Sequence, residues 1–107
     1  MALMQYAVHW VNLDPTVGSE IKKTRPCVIV SPNEINRHLQ TVIVAPLTST
    51  HKAYPTRVAV RVKGKKGEIV LEQLRAIDRR RIGENMGALT ASEISACKKV
   101  LREMLVD

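Results

Sequence analysis

The run Arg57-Val58-Ala59-Val60-Arg61-Val62, continued by Lys63-Gly64-Lys65-Lys66-Gly67 and Glu68-Ile69-Val70-Leu71, decides the fold class. Successive side chains of an extended chain leave on opposite sides, so Val at every second position predicts a half-exposed strand, basic residues out and Val in. The glycine-bearing basic run reads as a hairpin turn, and Glu68 to Leu71 as the returning strand.

Upstream of this hairpin, Thr41-Val42-Ile43-Val44-Ala45 reads as a strand ending at Pro46, with Leu47 to Pro55 a polar loop. Arg25-Pro26 opens Cys27-Val28-Ile29-Val30-Ser31, whose apolar run implies burial on both faces; Pro is tolerated at a strand's start. Pro32-Asn33 breaks that strand, and a polar stretch follows through Gln40. Val8-His9-Trp10-Val11-Asn12-Leu13 is a first strand stopped by Asp14-Pro15, and Pro15 to Thr24 is a loop. Downstream, Gln73 to Ile77 stays extended until Asp78 caps a helical turn through Ile82, and Gly83 to Gly87 reads as a loop. Thr90-Ala91-Ser92-Glu93 is a capping box, and Ile94, Cys97, Leu101, Met104 and Leu105 share one face of the helix it opens. The expectation is a mainly β chain forming one domain over residues 1–107, a strongly bent sheet closing into a partial barrel with a C-terminal helix.

Composition narrows the function. The chain has 107 residues, 45% hydrophobic and 25% charged, which is the make-up of an ordinary globular protein with enough surface to bury a core. Seventeen Lys and Arg against ten Asp and Glu leave a net charge of +7, pointing to a polyanionic partner. Tyr6, Trp10 and Tyr54 are the only aromatics, too few for a base-stacking sheet, so nucleic acid would be held mostly through phosphates. No apolar run approaches the roughly 20 residues of a membrane span, and Met1 to Gln5 lacks the character of a signal peptide, so a cytoplasmic protein is expected. Cys27 and Cys97 read as small buried hydrophobes. His9, His38 and His51 are not spaced as metal ligands, and neither a GxSxG motif nor a phosphate-cradling glycine loop occurs; no metal or cofactor is expected.

The remaining candidates are polar residues at strand ends, where a rigid sheet can aim them. Arg25, fixed between a loop and Pro26, suits bidentate phosphate binding or a plain surface role. Thr48 and Ser49 offer hydroxyls at a strand-to-loop junction, where they also serve as turn formers. Glu20 lies in the Gly18-Ser19-Glu20 loop as an acid, a base or a solvated side chain. Glu72, between Leu71 and Gln73-Leu74, needs a cation, with Arg25 or Arg75 as the expected partner. Arg79-Arg80-Arg81 cannot form one face of a short helix, because consecutive residues point about 100° apart. Solvation, or docking of an acidic segment, is the reading for it and for the Lys63 to Lys66 turn.

The run Asn12-Leu13-Asp14-Pro15-Thr16-Val17-Gly18-Ser19-Glu20-Ile21-Lys22-Lys23-Thr24-Arg25-Pro26 resembles the opening of MazF/PemK-type toxins of bacterial type II toxin-antitoxin modules. The resemblance continues through Val44-Ala45-Pro46-Leu47-Thr48-Ser49, Glu72-Gln73-Leu74-Arg75-Ala76-Ile77-Asp78 and Gly87-Ala88-Leu89-Thr90. It implies an SH3-like β-barrel of the CcdB/PemK/MazF kind, a homodimer, and a metal-independent endoribonuclease that cuts single-stranded RNA, including mRNA, at short sequences. An antitoxin protein of the MazE/PemI type, with an acidic tail, would silence it.

By the same resemblance Arg25 and Thr48 are the catalytic pair, Glu20 a further catalytic candidate, and Gly18, Ser19, Ile21, Lys22, Lys23, Ser49, Thr50 and Glu72 RNA-binding positions. Glu72 stands where relatives often have Asp. Val70 stands where some have Arg, and Tyr6-Ala7 where a Gly and an acidic residue are common, so an unusual entry to the first strand is expected. The implied chemistry is attack by the RNA 2′-OH on its own phosphate, giving a 2′,3′-cyclic phosphate and a 5′-OH end. Arg25 would stabilise the transition state and protonate the leaving oxygen, with Thr48 and Ser49 on a non-bridging oxygen. An Arg side chain is already protonated and cannot take the 2′-OH proton, which leaves Glu20 or water. The rival readings are a gyrase poison like CcdB, whose relatives need a Trp-Gly-Ile ending where this chain has Leu105-Val106-Asp107, and a catalytically silent nucleic-acid-binding barrel.

Overall fold

Strand pairing around Thr41–Thr48 organises the molecule, in a computed structural model that describes residues 2–107. The elements are β1 (Ala7–Asn12), β2 (Thr24–Ile29), α1 (Asn33–His38), β3 (Thr41–Thr48), β4 (Arg57–Val62), β5 (Lys65–Val70), β6 (Arg75–Asp78), β7 (Ile82–Ala88) and α2 (Ala91–Leu105), with 3₁₀ turns at Leu71–Gln73 and Arg79–Arg81. They build a seven-stranded sheet in the order β4-β5-β3-β2-β1-β7, with β6 also paired to β3. Every pairing is antiparallel. On one edge β3 meets β2; on the other it meets β6 along Thr41 to Val44 and β5 at Leu47 and Thr48.

That handover explains a departure from expectation. The strand does not end at Pro46 but runs on to Thr48, because Pro46 falls between the residues paired to β6 and those paired to β5. A residue without an N–H is least costly where a ladder is interrupted.

Alternation along the central strands divides the apolar residues between two clusters. Val28, Ala45, Leu47, Val58, Val60, Val62 and Ile69 join one with Cys97 and Leu89; Val11, Cys27, Ile29, Val42, Val44, Ile77 and Ile82 join the other. The Cys27 to Ile29 half of β2 is therefore buried on both faces, as its composition implied, while Thr24 and Arg25 at its start are exposed. Both cysteines are free and fully buried, and burial pushes their thiols up, to about 12 for Cys27 and about 11 for Cys97. No helix among the described residues is long and apolar enough to cross a membrane.

Local chemistry accounts for the other differences. The hairpin turn is only Lys63-Gly64, both at positive φ (49° and 78°), so Lys65 to Gly67 already belong to β5. Two such residues match the right-handed twist of the flanking strands. The expected loop at Gly83 to Gly87 is instead β7, paired irregularly to β1 and tied by buried His9, whose Nδ1 lies 3.0 Å from the Gly83 carbonyl. Its glycines and Asn85 hide it from propensity. The polar stretch before Gln40 contains α1, fixed by buried Asn36, which accepts from Ser31 Oγ at 2.5 Å and donates to the Leu3 carbonyl at 2.9 Å. The unusual entry to β1 is present: Tyr6 takes φ 66°, with its N–H on the Ile29 carbonyl and its carbonyl receiving the Leu89 N–H.

The capping box opens α2 as expected. Thr90 Oγ1 accepts from the Glu93 N–H, Glu93 Oε1 accepts from the Thr90 N–H, and Glu93 Oε2 accepts from the Arg61 N–H on edge strand β4. Cys97, on the inward face of α2, is fully buried, while Ile94, Leu101 and Met104 pack against the core; Leu105, expected on that face, is exposed. Thr90→Ala should cost about 1 kcal/mol of stability. Glu93→Ala should cost more, because it also leaves the Arg61 N–H without its acceptor. Chemical denaturation of the two variants checks the order, and equal losses would show that the bond to β4 contributes nothing.

Candidate active site

The β2–β3 register pairs Cys27 with Pro46 and Val28 with Ala45; carried two residues further, it sets Arg25 opposite Thr48. On the other edge of β3, Thr48 pairs with Glu68. Residues directly opposite in neighbouring strands share a face, so Arg25, Thr48 and Glu68 form one row across three strands. Arg25 and Thr48 line a groove of about 250 Å³ together with Ser49, Lys65, Lys66, Gly67 and Met86. Gly67 keeps this junction tight, since a Cβ there would stand 3.1 Å from the Thr48 carbonyl.

Arg25 is exposed, and its Nε donates to the Lys22 carbonyl at 3.2 Å, which orients the guanidinium. None of the ion pairs among the described residues involves it. Thr48 Oγ1 accepts from the Thr50 N–H at 3.1 Å, so its hydroxyl proton can point to an anion. Lys65 and Lys66, read from sequence as turn residues, add two cations to this groove. The sequence showed their charge; it could not show that the turn closes three residues earlier and places them on β5 at the groove's edge.

Glu20 is elsewhere. It lines a second hollow of about 250 Å³ with Leu13, Ile21, Pro46, Glu72, Gln73 and Arg75, and its Oε1 accepts from the Val17 N–H at 2.6 Å. Gln73, which sequence reasoning missed, holds the loop that carries Gly18, Ser19, Ile21, Lys22 and Lys23: its Oε1 accepts from the Ile21 N–H at 2.7 Å and its Nε2 donates to the Ser19 carbonyl at 3.5 Å. The Lys23 N–H donates to Asp14 Oδ1, and Arg75 donates to the Leu13 carbonyl. These bonds tie the loop to the turn after β5 and to β6.

Glu72 is paired, but with neither cation expected for it. Arg57 takes it, at 2.8 Å from Nη2 and 2.9 Å from Nε, and Thr56 Oγ1 donates to its other oxygen at 2.8 Å. Burial pushes the Glu72 carboxyl up, but the bonds from Arg57 and Thr56 outweigh it and hold the group below its ordinary value. Arg57, expected to point outward, has a side chain only 11% exposed and sits over the Tyr54 ring at 5.0 Å. The hydrogen bond that Arg57 donates to Glu72 raises the Arg57 pKa. Glu68 is the second carboxylate here, lowered first by the Lys52 N–H and also by His51. The 49–56 segment, with Ser49 and exposed Thr50, is therefore clamped to the sheet by charge.

The triple arginine is also explained. Arg79 donates to the Asn36 and Leu39 carbonyls and Arg81 to those of Asn12 and Asp14, while Arg80 pairs with Asp78. Bonds from Arg80 hold Asp78 down at about 2. Two of the three thus serve the fold rather than standing solvated. Among the described residues no three His, Cys, Asp or Glu side chains gather as a metal site would require.

Known proteins resemble the chain along most of its length. Residues 4–105 match a family described as PemK-like, MazF-like toxin of type II toxin-antitoxin system. The endoribonuclease MazF of Staphylococcus epidermidis is 37% identical over 93 residues, covering 81% of this chain and 78% of that protein. A crystal structure of MazF from Deinococcus radiodurans superposes with a TM-score of 0.87 at 25% identity, covering 98% of this chain and 97% of the other. An endoribonuclease from a mycobacterial species, solved in complex with its cognate antitoxin, shares the fold with a TM-score of 0.82 at 23% identity, over 95% and 93% of the two chains.

Because Glu68 and Glu72 titrate below the ordinary 4.5 in the folded chain, their stabilisation is complete above that pH and is lost as pH falls through their depressed values. Arg57→Gln should lower the melting temperature at neutral pH, with the difference shrinking in acid as the carboxylates protonate. A difference that stays constant through the acid range would show that Arg57 acts by packing alone.

Proposed function

The chain belongs to the PemK-like, MazF-like toxins of type II toxin-antitoxin systems, and on that premise we propose that it is an endoribonuclease that cuts single-stranded mRNA in the cytoplasm. The observation that carries this reading is the facing of Arg25 and Thr48 across β2 and β3, in a groove that also presents Lys65 and Lys66.

An RNA phosphate seated there meets a planar guanidinium suited to two non-bridging oxygens, and the Thr48 hydroxyl as a neutral donor. Charge on those oxygens grows as the 2′-oxygen attacks, so fixed donors act most strongly in the transition state. The nucleophile belongs to the substrate and is already beside the phosphorus, so positioning supplies much of the rate. Glu20 does not line the groove and its carboxylate closes its own loop, which makes water the acceptor of the 2′-OH proton. Products are a 2′,3′-cyclic phosphate and a 5′-OH end. The tethered 15–24 loop, with Gly18, Ser19, Ile21, Lys22 and Lys23, and the 49–56 segment, with Ser49 and Thr50, flank the groove and would choose the bases. A second copy of the chain forms the homodimer, and an antitoxin bearing an acidic segment competes for the same cations.

Purified protein incubated with single-stranded RNA in EDTA should cut it, and Arg25→Ala should lower the rate by about 100- to 1,000-fold. A DNA oligonucleotide of the same sequence should survive, since it lacks the 2′-OH. Intact RNA, or DNA cut equally well, would overturn the reading.

A further inference from the structure

In the row Arg25, Thr48, Glu68, only Glu68 has no part in the proposed chemistry. Glu68 lies on the far side of Thr48 from Arg25 and is only 5% exposed. Its Oε2 stands 2.6 Å from His51 Nδ1, while its Oε1 accepts the Lys52 N–H at 3.1 Å and lies 3.7 Å from Arg57 Nη1. The His51 side chain is 76% exposed, so the ring is gripped through Nδ1 and its opposite edge faces solvent. A hollow of about 730 Å³ opens beside it, walled in part by Ser49, Lys66 and Gly67, which also wall the Arg25 groove. The two hollows are neighbours along one surface, with Thr48 between Arg25 and the Glu68–His51 pair.

We propose that His51 is a further catalytic residue, the acid that protonates the leaving 5′-oxygen, and that Glu68 is its positioning residue. This rests on the ribonuclease reading of the groove. An imidazole whose Nδ1–H is held by a buried carboxylate is fixed in orientation, and its protonated form can give up the Nε2 proton. Arg57, which also faces Glu68, is engaged first by Glu72, leaving a Glu68 oxygen for His51. The other charged groups around the hollow are Lys66 on β5, Arg61 on β4 and Glu93 at the start of α2.

The step balances as follows. The 2′-oxygen bonds to phosphorus while its proton passes to water; the bond from phosphorus to the 5′-oxygen breaks, its electron pair staying on that oxygen. The His51 Nε2 proton moves to the 5′-oxygen, leaving a 5′-OH, a 2′,3′-cyclic phosphate and a neutral imidazole that solvent protonates again. Arg25 keeps the task its charge suits, stabilising the non-bridging oxygens. A guanidinium is a poor acid, because its delocalised charge holds the proton.

A matched pair of RNAs tests this, one with the ordinary 5′-oxygen at the cleaved linkage and one with sulfur in its place. A thiolate leaves without a proton, so loss of a general acid is felt only on the oxygen substrate. His51→Asn keeps a donor for Glu68 but has no transferable proton. It should cut the oxygen substrate about 100-fold or more slowly than wild type and the sulfur substrate at the wild-type rate. Glu68→Gln should show a smaller loss confined to the oxygen substrate. If His51→Asn cuts ordinary RNA at the wild-type rate, or loses equally on both substrates, His51 is not the acid. If wild type cuts neither RNA, or Arg25→Ala cuts as fast as wild type, the ribonuclease reading itself falls and this assignment falls with it.

Discussion

Hydrogen bonding on both edges of Thr41–Thr48 is the constraint on which the rest depends. With β2 on one side and β6 then β5 on the other, this strand cannot slip, since a one-residue shift would exchange the apolar sets of its two faces. Its end at Thr48 is therefore fixed relative to Arg25 on one neighbour and Glu68 on the other. Loops contribute most candidate RNA contacts, yet they too are anchored back to the sheet, by Gln73 and Arg75 on one side and Glu68 and Arg57 on the other. A phosphodiester bent for attack by its own 2′-oxygen needs that kind of fixed surround.

The charge surplus divides by environment. Arg57, Arg75, Arg79 and Arg81 are bound to carboxylates or backbone carbonyls and hold loops to the sheet. Arg25, Lys65 and Lys66 remain around one groove. All of these charges count in the net +7, and those beside Thr48 add a local positive field at the groove.

Much of this was legible in the residues. Alternation read β4, apolar runs read the buried β2 and the start of β3, and Thr90 with Glu93 marked the helix start. The resemblance to the toxin family named Arg25 and Thr48, which the register then brought face to face. What escaped had physical reasons. Strand β7 is built on Gly83, Asn85 and Gly87, which carry no strand propensity and are placed by pairing to β1. Pro46 falsely ended β3, because no local pattern announces a change of partner strand. Glu72 found Arg57 rather than Arg25 or Arg75, a matter of which strand lies beside the turn. The resemblance made Glu20 a catalytic candidate; its carboxylate accepts from the Val17 N–H of its own loop, outside the Arg25 groove. His51 had no motif at all; only its 2.6 Å approach to a buried carboxylate singled it out.

The central claim is that a substrate 2′-oxygen, and neither water nor a protein side chain, attacks the phosphorus at the Arg25–Thr48 groove. Mass spectrometry of the fragments from a single-site RNA cut by the wild-type protein in EDTA tests it most directly. The account predicts an upstream fragment ending in a 2′,3′-cyclic phosphate and a downstream fragment beginning with a 5′-OH. A 3′-OH upstream with a 5′-phosphate downstream would contradict it.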